Sequence, residues 1–164
     1  MLKNNNKNIL IYIYYNELFL YKINMDAGIT ATDETLAKYN EFKMKKKLAA
    51  VVFKIDKVEN VERVVLEKEF PKEGFKQEDL IEALPTDESR FIYLDFAYEN
   101  DDGITVYKII SILYCPMYAK AKKKMMYSTT YNSLNTALGG IQVEMQCDGP
   151  AELSREHILK KVKK

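Results

Sequence analysis

The hydrophobic pattern is clearest over residues 118–141, Y-A-K-A-K-K-K-M-M-Y-S-T-T-Y-N-S-L-N-T-A-L-G-G-I. Apolar or small residues recur at Met126, Tyr127, Thr130, Leu134, Ala137 and Leu138. This is the spacing of a helix with one buried stripe. Gly139 and Gly140 supply the stop, because a helix C-cap often needs the left-handed conformation that glycine takes freely. A second stripe, Lys122, Met125, Thr129, Asn132 and Thr136, lies well away from the first at about 100° per residue. The outer face therefore begins basic, carries one apolar methionine and ends neutral and polar. On pattern alone, the lysines simply solvate a surface helix.

The remaining elements follow from the same reasoning. Thr32 or Asp33 caps a helix over 35–47, with Leu36, Tyr39, Phe42 and Met44 on and around one side. Lys43, Lys45, Lys46 and Lys47 crowd its last turn, where cations complement the helix dipole. That explanation is preferred to a nuclear-import patch. The β-branched run 48–55 predicts a central strand, and 61–69, which alternates less cleanly, predicts its hairpin partner. A short helix over 77–84 ends at Pro85. Strands follow at 90–98 and 104–115, separated by the acidic turn Asn100-Asp101-Asp102-Gly103. After the long helix comes a strand-like piece at 141–146, then a final helix over 155–162 capped by Ser154. Helices interleaved with strands in this order predict an α/β (α+β) sandwich: a central mixed sheet flanked by helices on both faces.

Residues 1–24 differ from the rest. They are rich in Asn, Ile and Tyr, and 9–15 is almost continuously apolar or aromatic. The run falls far short of the roughly 20 residues of a spanning helix. Lys3 and Lys7 ahead of it suggest a signal peptide, but a small-x-small cleavage site is missing. The expectation is a segment appended outside the fold, or an upstream extension with Met25 as the true initiator. The domain proper is placed at 25–164.

Composition narrows the function. The chain has 164 residues, which suits one domain, and is 47% hydrophobic. Its 25 basic and 24 acidic residues leave a net charge of +1, which argues against a nucleic-acid binder. Cys115 and Cys147 are far apart, in no metal-ligand spacing, and suit a reduced cytosolic protein. His157, the only histidine, sits among Arg155, Lys160 and Lys161 without a nucleophile beside it. No phosphate-loop or dinucleotide fingerprint occurs. Neither a metal nor a cofactor is expected, and a binding module is favoured over an enzyme.

Particular stretches then point to a family. They are G-I-T-A-T-D-E from Gly28, Y-N-E-F-K from Tyr39, V-V-F-K-I from Val51 and R-F-I-Y-L-D-F from Arg90. The densest is Y-C-P-x-x-A-x-x-K-x-K-M-M-Y-S from Tyr114, followed by L-G-G-I-Q-V-E-M-Q from Leu138. In this order and spacing the chain from Met25 to Lys164 resembles the actin-depolymerising factor/cofilin family. The resemblance implies the ADF-homology, gelsolin-like fold. It also implies a cytoplasmic, cytoskeletal protein that binds actin monomers and filaments without catalysis and promotes filament turnover, and a monomer is expected. The long helix would enter the cleft between actin subdomains. Position by position, Lys122 and Lys124 match the family's basic pair, Met125 its apolar neighbour, Gly28 and Ile29 the N-terminal lead, and Glu152 an acidic contact near the C-terminus. Lys108, Lys160 and Lys161 match weaker filament contacts. Lys120, Lys122, Lys123 and Lys124 match a phosphoinositide-binding patch, so a peripheral lipid-binding protein is the second reading. A sister protein that binds filament sides or branching machinery is the third.

Departures from the family pattern carry their own expectations. The regulatory serine aligns with Ala27, which removes phosphorylation there. The middle of the long helix carries Tyr131, Asn132, Asn135 and Thr136 where charged residues are usual, so electrostatic affinity is expected to be lower. The loop before the long strand is acidic instead of basic, so severing is expected to be weak.

Overall fold

A computed structural model describes residues 28–163; the expectations for 1–24 lie outside the described residues. Six strands form one sheet in the order β1-β3-β2-β4-β5-β6. They are β1 (Thr30–Ala31), β2 (Leu48–Val58), β3 (Val61–Pro71), β4 (Arg90–Glu99), β5 (Thr105–Tyr114) and β6 (Val143–Cys147). The four central strands pair antiparallel, while β1 on β3 and β6 on β5 pair parallel. Helices α1 (Asp33–Lys45), α2 (Gln77–Glu82), α3 (Ala121–Leu138) and α4 (Arg155–Val162) are joined by one 3₁₀ turn at Pro150–Leu153. The mixed-sheet sandwich expected from the element order is the fold observed.

Alternation along the strands divides the core in two. Val51, Phe53, Phe91, Tyr93, Ile109 and Leu113 face α1 and α3, where they meet Tyr39, Phe42, Tyr127, Tyr131, Leu134 and Leu138. Ala50, Val52, Ile92, Leu94, Ile110 and Ile112 face α2 and α4, where they meet Leu80, Leu153, Ile158 and Val162. The weak alternation of 61–69 has a cause in the pairing. Val52 pairs with Lys68 but Phe53 with Leu66, so Glu67 is an extra residue in β3. Such a bulge switches the side-chain parity, and Phe70 lies on the α2/α4 side whereas Val64 lies on the α1/α3 side. Glu67 then accepts two bonds from Arg90, at 2.5 and 2.9 Å.

Two sequence expectations about α1 change. The helix starts at Asp33, capped by Thr32, whose hydroxyl accepts from the Thr35 amide. Met44 is not on the buried side but 75% exposed, because a residue two places after buried Phe42 sits about 200° around the helix. Lys46 ends the helix in the left-handed region and lies 3.8 Å from the buried Asp95 carboxylate, which Lys72 also pairs at 2.8 Å.

Candidate functional site

The family register pointed to α3, so its two halves matter most. The buried stripe is Tyr127, Thr130, Tyr131, Leu134, Asn135 and Leu138. Met126 and Ala137 are only half-buried, at its borders. The outer stripe is as expected: Lys122, Met125, Thr129, Asn132 and Thr136 are all exposed, with Met125 at 72%. Tyr131 and Asn135 are corrections. They do not belong to a neutral outward face; they are buried and hold the helix to the sheet. The Tyr131 hydroxyl donates to the Ser111 carbonyl at 2.9 Å, and the Tyr93 and Ser111 hydroxyls donate to Asn135 Oδ1 at 2.9 and 2.8 Å. Tyr127, Tyr131 and Asn135 are spaced by four, so they share one face. That spacing was in the sequence and would have placed them inside.

Other elements secure α3 at its C-terminus and along its buried side. At the C-terminus Gly139 takes φ 63°, the Tyr39 hydroxyl donates to its carbonyl at 2.9 Å and Lys43 Nζ donates to the Leu138 carbonyl at 3.3 Å. Two α1 side chains thus satisfy carbonyls the helix leaves open. On its buried side the Tyr127 hydroxyl accepts the Ile55 amide at 2.8 Å. Burial pushes the phenols of Tyr127, Tyr131 and Tyr93 up, and that of Tyr39 to about 12. All four therefore stay neutral donors or acceptors at physiological pH.

The first turns of α3 carry the charge. Lys120, Lys122 and Lys123 are exposed, and Lys123 lies 3.9 Å from Glu62 on β3. Lys120 and Lys123 line a cleft of about 220 Å³ with Asp87, Glu88, Ser89 and Arg90. Lys124 differs: it is half-buried and its Nζ donates to the Met117 carbonyl at 3.0 Å. Sequence reasoning passed over Met117 and Tyr118, 72% and 79% exposed in the turn before α3. The available signal was two large apolar residues between Pro116 and a lysine run.

The N-terminal lead lies beside this helix. Gly28 is exposed at φ 66°, and Ile29 packs half-buried on the α1/α3 core. β1 fixes the lead through its parallel pairing to β3, helped by a bond from the Arg63 guanidinium to the Thr30 hydroxyl. The other carried-over residues lie on elements outside α3. Glu152 sits in the 3₁₀ turn and accepts the Asp148 amide at 2.8 Å. Lys108 is half-buried, donating to the Val162 carbonyl at 3.2 Å. Lys160 and Lys161 are exposed on α4, with Lys160 paired to Glu156 at 2.7 Å. In the acidic turn, Asp101 meets Lys163 at 3.2 Å.

Both cysteines are buried. They point to opposite faces of the sheet, Cys115 among the α1/α3 residues and Cys147 among the α2/α4 residues. Among the described residues no group of His, Cys, Asp or Glu is placed to hold a metal, and no helix is long and apolar enough to cross a membrane.

The fold thus sets two helices on each face of the sheet and leaves one basic helix end exposed. The model of the cofilin/tropomyosin-type actin-binding proteins matches residues 28–163. The chain is 34% identical over 136 residues to an actin-depolymerizing factor of Lilium longiflorum, covering 82% of this chain and 95% of that one. It is 34% identical over 137 residues to an actophorin of Entamoeba histolytica, covering 84% and 96%. Among solved structures, Streptomyces griseoflavus cofilin superposes with a TM-score of 0.72 at 31% identity, over 82% of this chain and 96% of that one. The chain belongs to the actin-depolymerising factor/cofilin family.

Proposed function

We propose that this protein binds actin monomers and filaments and promotes filament disassembly, with no catalytic role. The observation that carries this is the N-terminal half of α3, where Lys122 and Met125 stand exposed one helical turn apart. A cation beside a flexible apolar side chain suits a cleft with an acidic edge and an irregular apolar wall. β1 packs against α3, and the Gly28–Ile29 lead that precedes it would add to the contact. Glu152 follows Cys147, whose carbonyl accepts the Cys115 amide at the turn before α3, and would add an acidic actin contact, whereas Lys108, Lys160 and Lys161 would form weaker contacts with filaments. Lys108 and Lys160 are already engaged within the chain, and the neighbouring turn is acidic, which favours weak severing. The family match supports a cytoskeletal setting, and we take the working unit to be a monomer.

Filament co-sedimentation and nucleotide exchange on monomeric actin test the reading. Lys122→Glu is expected to weaken monomer binding by about 2–5 kcal/mol for a desolvated contact. Absence of wild-type binding to either actin form would sink the proposal. A second reading rests on the exposure of Lys120, Lys122 and Lys123 along one helix start. That patch would attract phosphoinositide headgroups at about 1 kcal/mol per lysine. Flotation with vesicles containing and lacking the phosphoinositide separates it from actin binding.

A further inference from the structure

We propose that Met117, Tyr118 and Met125 form one apolar anchor for an actin monomer, and that Lys124 is the strut holding this anchor in place instead of a contact charge. The inference deepens the actin-binding reading and rests on it.

Among the described residues the other exposed large apolar side chains are dispersed: Met44 on α1, Val58 and Val61 at the β2–β3 turn, Ile104 and Tyr107 after the acidic turn. Only Met117, Tyr118 and Met125, among the described residues, are three such residues around one helix start, each more than 70% exposed. Scattered apolar residues need no explanation, but a cluster marks an interaction site. The turn that carries it is also fixed. The Cys115 amide donates to the Cys147 carbonyl at 2.8 Å and the Ala119 amide to the Pro116 carbonyl at 3.0 Å. Pro116 and Ala119 are themselves buried. The Lys124 ammonium then reaches back seven residues to the Met117 carbonyl. A preorganised turn has less conformational freedom to lose on binding, and a tyrosine flanked by methionines is the composition of an interface anchor.

This arrangement gives the two lysines of the basic pair different work. Lys122 is exposed and makes no ion pair among the described residues. Lys124 is half-buried and already spends a proton on a carbonyl. A second copy of the chain is a poor occupant. A two-fold contact centred here would set Lys120, Lys122 and Lys123 against their own copies. An acidic, apolar-walled partner has no such conflict, and the patch continues the Lys122–Met125 face.

The test uses the full chain and monomeric actin at two salt concentrations. Met117→Ser with Tyr118→Ser is expected to weaken binding roughly ten- to a hundredfold, with the salt dependence of the wild type. Lys122→Gln is expected to weaken binding and flatten that dependence. Lys124→Met removes the donor and is expected to weaken binding as the loop variant does, with the salt dependence of the wild type. Tyr118→Gln alone replaces the double variant should its melting midpoint drop. Wild-type affinity in the loop variants would overturn the inference. So would Lys124→Met flattening the salt dependence as Lys122→Gln does, or a dimer that Met117→Ser with Tyr118→Ser abolishes. Failure of the wild type itself to bind actin is a separate result, visible before any variant is made, and it removes the functional reading along with the inference.

Discussion

The two faces of the sheet are built differently. The α2/α4 face is filled by Leu80, Ile92, Leu94, Ile110, Ile112, Ile158 and Val162, with few polar atoms. The α1/α3 face buries the hydroxyls of Tyr39, Tyr93, Tyr127 and Tyr131, together with Thr35, Ser111 and Asn135. Each of those tyrosines has a specific partner: the Gly139 carbonyl, Asn135, the Ile55 amide and the Ser111 carbonyl. Aliphatic packing is non-directional and tolerates rearrangement. Buried hydrogen bonds are directional, and each unmade one costs stability. One face thus supplies cohesion, while the other fixes the position of the helix that carries the binding residues.

Three perturbations test this contrast, the largest effect first. Ile112→Ala empties a fully buried site on the aliphatic face and should cost about 4 kcal/mol in denaturant unfolding. Actin affinity of the folded fraction should be unchanged, and a loss of affinity would break the comparison. Asn135→Ala leaves the Tyr93 and Ser111 hydroxyls without their acceptor and should cost about 2 kcal/mol. Here affinity should fall as well, because α3 loses its register on the sheet. The third effect vanishes at neutral pH and shows only in alkali. An unfolded tyrosine ionises near 10, but burial holds Tyr39 protonated to about 12. The folded state therefore binds the proton that the unfolded state has lost, so stability is full below pH 10 and declines from there to pH 12. On the other face Cys147, pushed from 9.0 to about 12, starts its decline earlier. Tyr39→Phe should make the loss above pH 10 shallower without abolishing it, since Tyr93, Tyr127, Tyr131 and Cys147 are raised as well, and should leave the onset near 9 in place, as read from melting midpoints against pH.

Legibility in the sequence followed the range of the interactions. Helix α4 was placed to the residue because Ser154 caps it locally. Helix α3 was found within three residues at each end, since its stripe and its glycines are local signals. β1 was missed because two residues have no periodicity and exist as a strand only through β3. The bulge at Glu67 was seen only as poor alternation, because its meaning depends on register with β2. In the site, Lys122 and Met125 lie outward as the stripe required. The tie from Lys124 to Met117 was hidden, since it depends on how the turn at 116–119 folds back.

The brevity of β1 has a bearing on solubility. Beyond Val64, β3 has no strand on its outer side among the described residues, and an open edge is a template for another chain. That stretch carries Glu67, Lys68 and Glu69 and ends at Pro71. Glu67 is the bulged residue, and Glu69 is paired with Lys38 at 2.9 Å. Charge, bulge and proline each oppose edge-to-edge growth. The protein can therefore display an apolar anchor around one helix start to a chosen partner without also offering its sheet for uncontrolled aggregation.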